Sequence, residues 1–283
     1  MQLITSIPLI NQLVRSYYME GLSVGLVPTM GALHEGHLAL VRQALAENDR
    51  VVVSIFVNPI QFNNAQDLAK YPRTLSQDQV LLEQVGCHVL FCPTEVDMYP
   101  AQPRIGMQFE GLDDVLEGAF RPGHFSGVGV VVSKLFHAVM PHRAYFGQKD
   151  FQQCLIIRQL VKDLSFPITL RFCPTVRESS GLALSSRNTR LSALARNTQA
   201  PLLYQALQLV AQQLAQGHTA ALATAQAHQL LAQEPAIQVE YLSVVDTLTL
   251  QPVLGGVANP KEVIVCIAAY LEGVRLIDNL WEL

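Results

Sequence analysis

Apolar positions along the chain fall into short unbroken runs and longer periodic ones. VGLVPT (24–29) and DRVVVSIFVNP (49–59) are unbroken and end in turn chemistry, and the second is dense in β-branched residues, so both predict strands of a parallel sheet buried on two faces. HLALVRQALAE (37–47) places leucines, valine and alanines at helical spacing, so strand, loop, helix is the opening unit. A second unit follows, with LSQDQVLLEQVG (75–86) as helix and CHVLFCP (87–93) as strand. GVGVVVSKLFHAVM (127–140) fits either element at its start, but Leu135, Phe136 and Val139 keep helical spacing and predict a helix. RAYFG (143–147), KDFQQCLIIRQLVKDL (149–164) and PITLRFCPT (167–175) then read as strand, amphipathic helix and strand.

After about residue 176 the pattern changes. The stretch 192–234 is rich in Ala, Gln and Leu with few charges, which predicts two helices broken at Gly217. IQVEYLSVVD (237–246), KEVIVCIAAYL (261–271) and VRLIDN (274–279) read as strands of a small separate sheet. The expected fold is α/β: a Rossmann-like, doubly wound parallel sheet over 1–175 and a smaller C-terminal α+β domain over 176–283. Ligands are expected at the carboxyl ends of the parallel strands and in the cleft between closely packed domains.

Half of the 283 residues are apolar, enough for a sizeable core, and the formal net charge is −4. Without a cationic surplus, nucleic acid and anionic membranes are not expected partners. The N-terminus has neither the cationic start and apolar run of a signal peptide nor the Arg/Ser-rich character of a transit peptide, and no uncharged apolar stretch approaches the roughly 18 residues of a membrane span. The five cysteines (Cys87, Cys92, Cys154, Cys173, Cys266) are scattered among apolar neighbours, as reduced thiols of a cytoplasmic protein would be. Cys87, His88 and Cys92 lack CxxC spacing and read as part of a buried strand.

Four loops carry the chemistry-bearing residues. In MGALHEGH (30–37), His34 and His37 follow a strand and open a helix, where unpaired N–H groups and the helix dipole attract anions. Two imidazoles there would clamp phosphate, with Gly31 turning the chain out of the strand and Gly36 letting a nucleotide approach the backbone. Neither Walker A nor GxGxxG spacing occurs in this loop. Taken alone, an HxxH is better explained by two surface polar histidines, and metal binding by the pair lacks a nearby third ligand. In FGQKDFQQ (146–153), Gly147 permits close approach, Lys149 offers phosphate charge, and Asp150 suits ribose hydroxyls or a helix cap. GLALSSRN (181–188) joins Ser185, Ser186 and Arg187 in a loop that is either a polar interdomain turn or a mobile lid stabilising a pentacovalent phosphorus and departing pyrophosphate. In SIFVNPIQF (54–62), Asn58 and Gln61 would present neutral amides to a small hydroxylated carboxylate, although Asn58-Pro59 also serves simply to end a strand.

Together VPTMGALHEGH, SIFVNPIQF, YPRT, EGAFRPGHFSGV, VSKLF, FGQKDFQQ, GLALSSRN and the closing RLIDN, in that order and nearly end to end, resemble the pantothenate synthetase family, the ligases of pantoate and β-alanine. HxGH alone marks a wider superfamily of nucleotidyltransferases. The resemblance implies two steps: pantoate carboxylate attacks the α-phosphorus of ATP to give pantoyl adenylate and pyrophosphate, and the amine of β-alanine then displaces AMP. Mg²⁺ is expected on the triphosphate. The resemblance also implies an ATP site formed by Met30, Gly31, Ala32, Leu33, His34, Glu35, Gly36 and His37, by Gly147, Gln148, Lys149 and Asp150, by the backbone of Val176, and by Leu184, Ser185, Ser186 and Arg187. His37, His34, Lys149 and Arg187 are the implied catalytic groups. Gln61 and Gln153 correspond to glutamines that bind pantoate, Gln61 also facing β-alanine, with Asn58 and Tyr71 as further substrate-binding candidates. A homodimer through the first domain is implied as well.

This chain departs from the family pattern in three places. The nucleotide loop reads GQKD where many members have GEKD, and Ser180 stands where an acidic residue commonly precedes Gly181. The acidic stretch after YPRT is reduced to SQD, so no protein metal ligand is assigned. The competing readings are another HxGH enzyme that adenylylates a phosphate, and a nucleotide- or metal-binding module without turnover. Lys149 and Arg187 argue against the latter, because simple binding would not require them.

Overall fold

Alternation of side chains through the apolar runs decides the first layer structure. In the computed structural model, which describes residues 1–281, strands β1 (Gln2–Ile4), β2 (Val24–Thr29), β3 (Arg50–Ile55), β4 (Val89–Phe91), β5 (Arg143–Gly147) and β6 (Thr169–Cys173) form one parallel sheet in the order β1-β4-β3-β2-β5-β6. Leu26, Val52, Phe91 and Phe146 point to one face, where they pack with α1 (Ile7–Met19), α7 (His124–Val139) and α8 (Phe151–Asp163). Val27, Val51, Val53, Leu90 and Tyr145 point to the other, against α2 (Glu35–Glu47) and α4 (Leu75–Gln84). Burial on both faces is why these strands read as unbroken apolar runs. Three short helices, α3 (Ala65–Lys70), α5 (Glu95–Met98) and α6 (Glu117–Phe120), occupy connections that sequence periodicity leaves undefined.

Strand order reverses between β2 and β5, which are direct neighbours through Gly25 and Leu26. A crevice at the carboxyl ends of two strands that diverge in this way is where open α/β sheets take ligands. The loop after β2 is MGALHEGH, and β5 ends on Gly147, so two of the four chemical loops start at that point.

Contacts divide the chain into two compact units, 1–148 with 153–174, and 149–152 with 175–283. The chain therefore leaves the first unit at Lys149, returns at Gln153 and leaves again at Thr175.

In the second unit β7 (Gln238–Asp246), β8 (Val263–Leu271) and β9 (Val274–Trp281) form an antiparallel sheet in that order. Helices α9 (Pro201–Ala215) and α10 (Ala220–Leu231) bury Leu203, Leu207, Val210, Ala223 and Leu231 with Val244, Val265, Ile267 and Leu276 of the strands. Gly217, in the left-handed region, ends the first helix, and the Thr219 hydroxyl caps the second by accepting the Leu222 N–H. One turn of π-helix, Ala195–Gln199, precedes α9, whose first residue is Pro201; the continuous helical reading of that stretch is interrupted there because proline cannot supply an interior N–H. Among the described residues no helix is long and apolar enough to cross a membrane.

Candidate active site

The loop after β2 is built on an unusual backbone. Gly31 and Ala32 both take positive φ, +79° and +50°, which turns the chain sharply out of the sheet. Glycine does this without steric cost, whereas alanine pays about 1 kcal/mol, so something must hold it. The carboxylate of Asp78, a residue of α4 that is 1% exposed, accepts the N–H groups of Ala32 (3.0 Å) and Leu33 (2.8 Å) and the hydroxyl of Thr74 (3.2 Å). Leu33 is buried beside Leu40 and Val41. A Cβ on Gly31 would lie 3.0 Å from the Ile55 side chain and 3.1 Å from Asp78 Oδ2. Asp78 is the aspartate of SQD, and its work here is to hold the loop.

His34 is the N-cap of α2, and the backbone of its own N–H donates to Nδ1 of His37 at 3.3 Å, the two rings lying 4.0 Å apart between centroids. HxxH thus occupies the N-cap and N3 positions that a capping box gives to Ser/Thr and Glu/Gln. With Nδ1 accepting, Nε2 is the ring's donor, set at the positive end of a helix dipole. Glu35 is exposed on the same turn and ion-paired with Arg42, whose hydrogen bond holds the Glu35 carboxyl below the usual range.

Asn58 and Gln61 lie on the 3₁₀ turn Pro59–Gln61 and its cap. Asn58 is 1% exposed; its Nδ2 donates to Gln61 Oε1 (3.0 Å) and to the Gly127 carbonyl (3.2 Å), and its Oδ1 accepts the Tyr99 hydroxyl (2.8 Å). Burial pushes the Tyr99 phenol up, keeping it a donor. Asn58 therefore orients Gln61, turning the Gln61 NH₂ toward Met30, whose sulfur lies 3.1 Å away. His124 reaches the Gln61 carbonyl through Nδ1 (2.8 Å), with Arg121 3.1 Å from its Nε2. Gly127 of α7 makes the contact possible: a Cβ there would sit 2.5 Å from the Ile60 carbonyl oxygen and 2.7 Å from Gln61 Cα. Gly127→Ala is expected to cost about 1–3 kcal/mol by overpacking and to shift Gln61, which a lowered urea midpoint at unchanged slope would reveal. Tyr71 is buried with its ring edge-on to Phe62, 5.8 Å between centroids. Gln153 lies in the first turn of α8, partly exposed.

Gly147 ends β5 and Gln148, Lys149 and Asp150 form a 3₁₀ turn before α8. Lys149 and Asp150 fall in the second unit, with Lys149 Nζ 3.7 Å from Asp150 Oδ1. The same unit holds a narrow hairpin in which Leu184 donates to the Val176 carbonyl (3.0 Å) and Arg177 bridges to Ala183. Ser185 caps the following 3₁₀ turn, Ser186–Arg190, by accepting the Arg187 N–H at 3.3 Å. Asn188, buried, ties this turn to the Ala183 carbonyl (3.0 Å) and to Glu178 (3.3 Å). Thus the first unit gathers Met30–His37, Asn58, Gln61, Tyr71, Gly147, Gln148 and Gln153. The second gathers Lys149, Asp150, Val176 and Leu184–Arg187.

Asp78, Tyr99, His124, Arg177 and Asn279 escape the sequence reading of the site because each acts through a partner far away in sequence, and Arg121 escapes with His124, the residue it meets three positions on. His124 and Arg121 had a signal in the quoted RPGHF. Histidine, a cation and a glycine there mirror the other loops.

The family whose description is pantoate-beta-alanine ligase matches residues 2–281. A pantothenate synthetase of Cytophaga hutchinsonii is 52% identical over 91% of this chain and 91% of its own, and one of Koribacter versatilis is 47% identical over 99% and 95%. The crystal structure of pantothenate synthetase from Thermus thermophilus superposes with a TM-score of 0.92 at 43% identity, covering 99% of both chains. That of pantoate-beta-alanine ligase from Francisella tularensis, complexed with beta-gamma ATP and beta-alanine, gives 0.81 at 35% identity over 99% and 97%.

Proposed function

The chain belongs to the pantoate-beta-alanine ligase family and joins pantoate to β-alanine at the expense of ATP, and from that premise we propose how its residues divide the work. A carboxylate is a poor acyl donor because oxide would have to leave. Pantoate carboxylate oxygen therefore attacks the α-phosphorus, an O–P bond forms, the bond to the β-phosphate bridging oxygen breaks, and pyrophosphate departs. The amine of β-alanine next attacks the acyl carbon, the C–N bond forms, AMP leaves with the C–O electrons, and the amine gives up a proton to solvent.

The observation that carries the reading is the hydrogen bond from the His34 N–H to His37 Nδ1 at the head of α2, which leaves Nε2 as the ring's donor: such a donor at a helix N-terminus suits the extra negative charge on a five-coordinate phosphorus. His34 joins it on the phosphates. Lys149 neutralises the leaving pyrophosphate, and Arg187, with Ser185 and Ser186, covers the triphosphate. Met30, Gly31, Ala32, Leu33, Glu35, Gly36, Gly147, Gln148 and Leu184 line the nucleotide, Val176 contributes its backbone, and Asp150 suits the ribose hydroxyls. Gln61 and Gln153 hold pantoate. Asn58 and Tyr71 support that pocket. Mg²⁺ enters with ATP as part of the substrate, and Asp78, whose oxygens already accept two backbone N–H groups, is not assigned to it. We place the enzyme in the cytoplasm as a homodimer, on the family resemblance and on the burial of Cys87, Cys154, Cys173 and Cys266 as thiols.

Purified protein with ATP, Mg²⁺ and pantoate is expected to release a stoichiometric burst of pyrophosphate, with AMP and pantothenate following only on addition of β-alanine. An adenylylated product that persists in the presence of β-alanine would point instead to a nucleotidyltransferase of the wider superfamily. Gln153→Ala is expected to raise the pantoate KM about tenfold or more with little change for ATP, as loss of a substrate hydrogen bond should. An effect on ATP alone would show the glutamine misassigned.

A further inference from the structure

The closing RLIDN segment lies in β9, and two of its consecutive residues, Asp278 and Asn279, are 5% and 6% exposed. Successive strand residues face opposite ways. Asp278 shares its side with Leu276 and Leu280, which pack in the helix-covered core, and there it receives a two-pronged bond from Arg177 (2.5 and 3.0 Å). The Arg177 guanidinium lies 3.7 Å above the Tyr204 ring of α9, and also donates to the carbonyls of Asn279 (3.1 Å) and Gly181 (3.2 Å). Asn279 shares the other side with Trp281, whose ring meets Phe151 at 5.5 Å, and its Nδ2 donates to the carbonyl of Lys149 at 2.8 Å. All of these groups belong to one unit.

We propose that Asn279 is a positioning residue for the first chemical step: it fixes the main chain of Lys149, and the Arg177–Asp278 pair fixes Asn279. This rests on the assignment of Lys149 to the triphosphate. The lysine sits on a short 3₁₀ turn of a chain that changes units on either side of 149–152, so its main chain needs an anchor outside its own turn. Asn279 supplies one from a strand, where the backbone is held by a full antiparallel ladder. The bonds of Arg177 to Asn279 and Gly181 tie the same anchor to the hairpin that leads into Ser185–Arg187. Adenylate formation uses the charge of Lys149, whereas aminolysis begins after pyrophosphate has gone. Only the first step should therefore feel the loss of Asn279.

The test compares Asn279→Ala, Lys149→Ala and the double variant in three measurements. These are single-turnover pyrophosphate release with ATP, Mg²⁺ and pantoate, the ATP KM, and the rate at which β-alanine consumes preformed adenylate. Asn279→Ala is expected to slow release or raise the ATP KM about tenfold, the size of one buried hydrogen bond, and to leave aminolysis within about twofold. The double variant should be no slower than Lys149→Ala, because the two residues act as one. Asn279→Leu, which fills the buried site without a donor, should behave alike and covers the case in which the alanine variant fails to fold. Equal loss in both half-reactions, or losses that multiply in the double variant, would reduce Asn279 to a structural role and overturn the proposal. So would a normal burst in Asn279→Ala beside a crippled Lys149→Ala. A normal burst in Lys149→Ala itself overturns the underlying assignment of the lysine, a separate failure read from that variant alone.

Discussion

Replacing His37 by alanine is expected to slow pyrophosphate release by about 10²–10³-fold, the loss typical of one preorganised donor to a developing oxyanion. The expectation follows from a single hydrogen bond. Because Nδ1 accepts the His34 N–H, the ring is locked in rotation and its remaining proton points from Nε2 at the head of α2. The alanine variant loses both the donor and a cap, so its stability should also fall, by about 0.5–2 kcal/mol. His37→Gln separates the two effects. A glutamine at N3 can accept the same N–H through Oε1 and present its NH₂ outward, completing an ordinary capping box. Substantial recovery of the burst by glutamine would show that His37 works by hydrogen bonding, since an amide cannot transfer a proton. Recovery of stability without rate would show that the imidazole proton itself moves. Full turnover by the alanine variant would remove His37 from the mechanism.

Lys149→Ala is expected to cost a comparable factor, about 10²–10³, confined to adenylate formation. The Lys149 side chain is largely withdrawn from solvent, 18% exposed, and its Nζ sits 3.7 Å from Asp150 Oδ1. An ammonium in such a setting is screened less than one in bulk water, so its attraction for a leaving pyrophosphate, which gains charge as the bond breaks, is larger. Lys149→Arg keeps the charge but replaces a compact head by a planar fork, and should recover only part of the rate. Aminolysis of preformed adenylate by β-alanine should proceed near normally in both variants. Stopped-flow detection of pyrophosphate, with AMP followed separately, distinguishes the steps. Near-normal pyrophosphate release in Lys149→Ala would contradict the role given to the lysine.

Much of the fold was legible because a parallel sheet imposes its pattern on every strand it buries. VGLVPT and RVVVSI could hardly be anything but interior strands, and their alternate residues do line two cores. β1 was not legible: it is three residues long and contributes one buried side chain, Ile4. The four-residue helices at Glu95 and Glu117 are too short for any periodicity to register. The candidate site loops stand out in the sequence where their chemistry is local. HxGH and GQKD stand out by a glycine beside imidazoles or a lysine just beyond β2 and at the end of β5, SSRN by its hydroxyls and guanidinium, and the HxxH spacing matches a capping box. What escaped was support. Asp78 meets its partners 45 and 46 residues away, and Asn279 meets Lys149 at a separation of 130. No local spacing encodes such pairs, since they exist only after the sheets have formed.

The four residues 149–152 give the chain a property that bears on its evolution and on its engineering. They lie in the middle of one unit's sequence and belong by contact to the other. A fragment starting at Thr175 would carry β9 but lack the Phe151 ring that meets Trp281 and the carbonyl that receives the Asn279 amide. The second unit is thus contiguous in space but not in the gene, and a single crossover cannot transplant it whole. Recombination between relatives would preserve both partners only if segments on either side of Pro174 travelled together, which makes the Lys149 turn and the chain's last strand one heritable block.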